Sequence, residues 1–292
     1  MTNEYLEELR RAVYNDIDDV PARLIAMFYG DVDTGKTIFA LKLAHAITPP
    51  DKTIYHVDSS QGFMSIRNHP DLLQAVRGGR LKIMPYQGQT HLDVLAAAIA
   101  AKHEEFGNIG CVVLDEATAM YQKMLRLVAV GRATSGKPNK NPDQFDTELQ
   151  EYGNAGNRWI DIWQKFTALE GVHFISTGHV RDDKLPKGMQ SSPAFIPYVN
   201  GVIRRDMHLL GFFENKEYEG TGLVRTVQVH GTDKAQAKSR IGGFGIYTTP
   251  GDLAQGIIEW LKGDRDGSSQ DTVTYEQITG QEQTQEIGNE VL

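Results

Sequence analysis

Gly30-Asp31-Val32-Asp33-Thr34-Gly35-Lys36-Thr37 decides how the rest of the chain is read. It fits G-x-x-x-x-G-K-[ST], the phosphate-binding loop. Leu24 to Tyr29 is an apolar run of strand length, and Ile38 to Ile47 carries apolar residues at helical spacing. A strand, a glycine-bracketed loop and a helix start, in that order, aim backbone N–H groups at phosphate oxygens. Gly30, Asp31, Val32, Asp33, Thr34, Gly35, Lys36 and Thr37 are therefore the expected nucleotide ligands. Lys36 would reach the β- and γ-phosphates, and the Thr37 hydroxyl would bind Mg²⁺. Asp33 stands where many such loops have a third glycine. Aspartate tolerates positive φ better than most residues, so the loop can still close. Asp31 and Asp33 also put two carboxylates beside a polyphosphate, which weakens binding unless Mg²⁺ or their orientation compensates. The sequence gives no reason for their presence.

Working outward, Pro49-Pro50-Asp51 turns the chain after the loop helix, and Thr53 to Val57 alternates as a second strand. A helix is expected over Pro70 to Val76 and a strand over Leu81 to Met84. Thr90 with Asp93 looks like a helix cap, with Leu92, Leu95, Ile99 and Phe106 marking one face. Ile109 to Leu114 is unbroken and apolar, as in the centre of a parallel sheet. Gly131 to Pro142 reads as a loop with three bases and no acid. A long helix is expected over about Asp146 to Leu169, burying Trp159, Trp163 and Phe166. Val172 to Thr177 is the next strand, and Arg181 to Asn200 a second irregular stretch. Asp206–Glu214 and Leu223–His230 read as an antiparallel pair, and Thr249 caps a last helix with Pro250 at its first position. Strands alternating with helices mean a doubly wound, mostly parallel α/β fold, here with a C-terminal antiparallel extension.

The chain of 292 residues has ordinary globular composition, and no apolar run approaches a membrane span. Met1 to Asp19 is charged and unlike a signal peptide, with a short helix expected over Glu4 to Tyr14. The single cysteine, Cys111, lies in an apolar run, which argues against disulfides and thiolate metal sites. These features point to the cytoplasm. The net charge of −8 is uneven: from Asp264 onward there are seven acids and one base, so the remainder carries only −2. Overall acidity thus leaves a nucleic-acid partner open, and the Gln-, Thr- and Ser-rich tail reads as disordered, for solubility or for a protein partner. Three regions follow: 1–19 as helix and linker, 20–262 as the ATPase domain, and 263–292 as the acidic tail.

Asp115 and Glu116 follow the central strand. An acid at a strand's C-terminal end, beside the phosphate loop, is where the Mg²⁺ carboxylate belongs. Asp115 is accordingly the expected metal residue, and Glu116 is placed to polarise the attacking water as general base. Ser176-Thr177-Gly178-His179 ends the following strand, where a polar side chain can feel a γ-phosphate. The guanine motif is missing, because Asn215-Lys216-Glu217-Tyr218 lacks its aspartate, so ATP is the default nucleotide.

With Gly30–Thr37, Cys111–Asp115, Tyr152-Gly153, Ser176–Val180 and Lys238-Ser239-Arg240-Ile241-Gly242 in this order, the chain resembles the RecA-like ATPases over about residues 22 to 262. It is most similar in kind to the compact phage-encoded versions implicated in single-strand DNA recombination and annealing. The resemblance implies an oligomer, ring or filament, in which Lys238 and Arg240 reach the neighbouring subunit's γ-phosphate. It also implies that His179 takes the sensor position. Two DNA-lining loops are implied at 131–142, with Arg132, Lys137 and Lys140, and at 181–200, with Arg181, Lys184, Lys187 and Phe195. Bases and an aromatic suit sequence-tolerant single-strand binding. One departure stands out: the family's catalytic glutamate follows the second strand, and here Val57-Asp58-Ser59-Ser60-Gln61 has none. Glu116 or Asp58 must serve instead, or hydrolysis is slow. The expected function is an ATP-dependent, single-stranded-DNA-binding recombination or annealing ATPase. A hexameric helicase-type motor, a P-loop small-molecule kinase and a regulatory ATP-binding module are the alternatives.

Overall fold

The computed structural model of the protein describes residues 22–134, 149–180, 201–218, 222–233 and 235–263. The expected N-terminal helix and the acidic tail lie outside them. So do Lys137, Lys140, Arg181, Lys184, Lys187 and Phe195.

The elements run β1 (Ile25–Gly30), α1 (Lys36–Ile47), β2 (Thr53–Asp58), a 3₁₀ segment (Gly62–Asn68), α2 (Pro70–Arg77), β3 (Leu81–Pro85) and α3 (Gln89–Ala100). They continue with β4 (Ile109–Asp115), α4 (Ala117–Thr134), α5 (Leu149–Thr167), β5 (His173–Gly178), α6 (Gly201–Asp206), β6 (Leu209–Tyr218), β7 (Gly222–Gln228), β8 (Lys238–Ser239), β9 (Tyr247–Thr248) and α7 (Pro250–Leu261). The nine strands of the described residues form one sheet in the order β3-β2-β4-β5-β1-β6-β7-β9, with β8 also on β6. From β3 to β6 the neighbours are parallel; β7, β8 and β9 add antiparallel pairs. The fold class is the one expected.

The two-residue period of β1 splits its side chains between two cores. Ile25, Met27 and Tyr29 face Trp159, Trp163 and Phe166 of α5, with Leu92 and Leu95 of α3. Leu24, Ala26 and Phe28 face α1 and α7 through Phe39, Leu43, Leu253 and Ile257. Both faces of the sheet are therefore covered, which is why β1 and β4 read as unbroken apolar runs. Trp163 meets Phe174 edge-on at 4.7 Å and Phe166 stacks on it at 5.2 Å. Truncating such a side chain costs about 3–5 kcal/mol.

Several local expectations need correction. β4 is not beside β1: β5 stands between them. Thr90 does not cap α3, which starts at Gln89 after Gly88, with no side-chain cap. Asp93 instead pairs with Lys165 of α5 at 2.5 Å. Phe106 lies beyond the end of α3 but still packs on the core. The loop expected from Gly131 begins later, since α4 runs on through Thr134; Arg132 is thus a helical residue. The hairpin strands reach Tyr218 and resume at Gly222, so Asn215 to Glu217 are strand, not turn. The cap on α7 is as read: the Thr249 hydroxyl accepts the Asp252 N–H at 3.1 Å.

Candidate functional site

The C-terminal ends of β1, β4 and β5 and the start of α1 border a cleft of about 1220 Å³. Asp31 to Thr37 line one wall; Glu116 and His179 line the other. Gly30 is required by close approach, because a Cβ there would sit 2.2 Å from the Phe213 carbonyl oxygen of β6. Asp33 has φ 61°, the left-handed conformation expected for it, and Gly35 has φ 81° as it leads into α1. The loop is also tied to β6: Asn215 Nδ2 donates to the Asp33 carbonyl at 3.0 Å.

Lys36 is buried, and its Nζ donates to the Asp31 carbonyl at 2.5 Å and to Thr34 Oγ1 at 3.2 Å. Burial lowers its pKa, while Glu116, Asp115, Asp31 and Asp33 hold it up. Thr37 Oγ1 donates to Asp115 Oδ1 at 2.8 Å, and Thr177 Oγ1 donates to the same oxygen at 2.6 Å. Asp115 is fully buried; its Oδ2 faces His56 Nε2 at 3.4 Å and has no well-formed hydrogen bond. Burial is the largest influence on Asp115 and acts upward. His56, Thr177 and Thr37 together outweigh it and keep the carboxyl below the usual carboxylate range. A hydroxyl and an ionised carboxylate with a spare oxygen are hard donors of the kind Mg²⁺ selects. Thr37 and Asp115 thus fit the metal role expected of them. Gly62 of the 3₁₀ segment crowds the same carboxylate: a Cβ there would lie 2.5 Å from Asp115 Oδ2.

Glu116 has φ 62°, a conformation that costs a non-glycine residue about 1–3 kcal/mol. It is held on all sides. Its N–H donates to Thr177 Oγ1 at 2.9 Å, Ser59 Oγ donates to its carbonyl at 3.1 Å, and that carbonyl also accepts the Met120 N–H of α4. The kink breaks the line of β4 and turns the carboxylate across β5. There Oε2 lies 2.9 Å from His179 Nε2. Contact with Glu116 raises the His179 pKa against the opposing effect of partial burial. The backbone N–H of His179 donates to Thr118 Oγ1 at 2.9 Å, fixing His179 to the start of α4.

Asp58 lies beside Asp115 and His56, with ligand atoms of the three within 4.8 Å of one another, but its oxygens are occupied by backbone. Its oxygens accept the Ser60 and Phe63 N–H groups at 2.7 and 2.8 Å, so it caps the 3₁₀ segment. It lies outside the cleft wall that holds Glu116. Lys238 and Arg240 are also outside the cleft, at the opposite ends of the strands. Lys238 Nζ donates to the Arg205 carbonyl at 2.7 Å, and Arg240 Nη2 donates to the same carbonyl at 2.8 Å, at the C-terminus of α6. The sequence reading gives Arg225 and His56 no role, takes Asn215 only as part of a failed guanine motif, and places Thr177 at a strand end without assigning it to Asp115.

No curated protein matches the chain. Among solved structures, flagellar accessory protein FlaH from Methanocaldococcus jannaschii is similar at 13% identity, with a TM-score of 0.41, over 75% of this chain and 84% of that one. The phosphate loop, the acid-ended β4 and the β5 terminus that meet in the cleft all fall within residues 22–241, which match a family model, and the chain belongs to that family, the AAA domain.

Proposed function

We propose that the protein is an ATP-hydrolysing, single-stranded-DNA-binding ATPase of the recombination and annealing type, working as an oligomer with ATP between subunits. The observation that carries this reading is the contact between Glu116 and His179 at 2.9 Å. It joins a base to a sensor. Both residues also head the segments that the resemblance assigns to DNA: α4 leads from Glu116 toward 131–142, and Arg181 follows His179 by two residues. A shift in either segment would be felt at the same pair.

In this reading the loop amides and Lys36 hold the β- and γ-phosphates. Thr37 and Asp115 hold Mg²⁺, which supplies charge against the phosphate oxygens. Glu116 accepts a proton from the attacking water, and the bond between the β–γ bridging oxygen and the γ-phosphorus breaks to give ADP and phosphate. Lys238 and Arg240 would complete the site of the next subunit. Their place supports a role in trans, because a six-residue strand puts them about 20 Å from the loop of their own chain.

The test is steady-state ATP hydrolysis with and without single-stranded DNA, on wild type and Arg240→Ala. Stimulation by DNA that Arg240→Ala abolishes, with ATP binding retained, is the expected result. Turnover that ignores both DNA and Arg240→Ala contradicts it and favours the small-molecule kinase. Stimulation accompanied by directional unwinding favours the helicase-type motor.

A further inference from the structure

Asn215 and Arg225 are directly opposed in the β6–β7 ladder, so their side chains leave the same face of the hairpin. That face is turned to the phosphate loop. Asn215 uses it to hold the Asp33 carbonyl. Arg225 lines the cleft, and its guanidinium lies along Gly35: a Cβ on Gly35 would be 3.4 Å from Nη1, 3.6 Å from Cζ and 3.7 Å from Nε. Yet the Arg225 side chain makes no hydrogen bond or ion pair with any described residue. An arginine that merely solvates the face of a hairpin has no reason to lie over the backbone of a loop. The loop, in turn, is short of positive charge. Four carboxylates (Glu116, Asp115, Asp31 and Asp33) surround the one lysine. Even with Mg²⁺ held by Thr37 and Asp115, Asp31 and Asp33 leave a nucleotide tail facing net negative charge on the loop side, which a further cation would offset.

We propose that Arg225 is that cation: a nucleotide-phosphate ligand supplied by the same chain, reaching the phosphates from the Gly35 side and offsetting Asp31 and Asp33. This rests on the nucleotide-binding reading above. The planar guanidinium fork suits phosphate oxygens better than an ammonium. The proposal also accounts for an acidic loop that the sequence alone leaves unexplained, since the charge partner comes from a strand almost 200 residues further along.

The test is the equilibrium affinity of the full chain for ATP and ADP, measured by calorimetry on wild type, Arg225→Gln, Arg225→Lys and Arg225→Phe, with Lys36→Ala beside them. Arg225 is exposed, so these variants fold; their melting curves verify it. The expected order is wild type, then Lys, then Gln and Phe together, about tenfold weaker than wild type. Asp33→Asn added to Arg225→Gln recovers part of the loss. If Arg225→Phe binds like wild type while Arg225→Lys does not, the residue stacks on the base and the proposal falls. If Arg225→Gln is unchanged while Lys36→Ala is weakened, Arg225 is no ligand although the nucleotide site stands. If neither variant loses affinity, both readings fall.

Discussion

At the C-terminal ends of β1, β4 and β5 the functional side chains touch one another. At the N-terminal ends of β1 and β6 the prominent cations touch only backbone carbonyls. Thr37, Asp115 and Thr177 share one carboxylate oxygen, and Glu116 meets His179. Lys238 and Arg240 instead converge on the Arg205 carbonyl that ends α6. Cations at a helix C-terminus are worth a few tenths to about 1 kcal/mol, a modest structural role. The first region is organised within one chain. The second has a bland structural use and leaves its charge, on an exposed Arg240, facing outward. The difference suggests that a parallel sheet can carry half a site at each end, to be joined only when subunits meet.

Changes at the first end have the largest expected effects. Glu116→Gln lowers ATP hydrolysis by about 10²–10⁴-fold while ATP affinity stays close to wild type. Asp58→Asn behaves differently: it turns one of the two oxygens that accept the Ser60 and Phe63 N–H groups into a donor and lowers stability by about 1–3 kcal/mol, read by denaturant titration. Equal losses of turnover in the two variants would erase the distinction drawn between these acids. Lys238→Ala, at the second end, is expected to reduce hydrolysis about tenfold without changing the affinity of a subunit for ATP; a matching fall in affinity would place it in its own chain's site. Asn215→Ala removes one anchor of the loop and raises the ATP dissociation constant by roughly fivefold, about the worth of one hydrogen bond.

The smallest effect is one of pH. Glu116 raises the His179 pKa above its ordinary 6.5. A raised folded-state pKa stabilises the protein below the unfolded value, and that contribution disappears as pH climbs through the folded value. The gap in melting temperature between wild type and His179→Gln is therefore widest below about pH 6.5 and closes at alkaline pH. A gap that widens with pH would contradict the pairing.

Legibility in the sequence followed the range of the interactions. The phosphate loop is a contiguous motif, and α7 announces its own cap through Thr249 and Pro250. Both were readable because neighbouring residues decide them. The α/β class was readable from alternating apolar runs. The insertion of β5 between β1 and β4 was not, because strand order is set by crossovers that leave no local mark. Thr90 misled for a similar reason: the helix already starts at Gln89 after Gly88, and Asp93 pairs with Lys165 on another helix. Within the site, Asp115 and Glu116 were visible at a strand end. The kink at Glu116, the capping role of Asp58 and the reach of Arg225 all depend on partners far along the chain.

The most direct measurement mixes Glu116→Gln subunits, intact at Lys238 and Arg240, with Arg240→Ala subunits, intact at Glu116. Hydrolysis of ATP is then followed with single-stranded DNA present. Each variant alone is expected to be nearly inactive. In the mixture, an Arg240→Ala cleft beside a Glu116→Gln neighbour has every group it needs, so activity returns to a sizeable fraction of wild type. A mixture no more active than its parts would contradict the account that the two ends of the sheet complete one another across subunits.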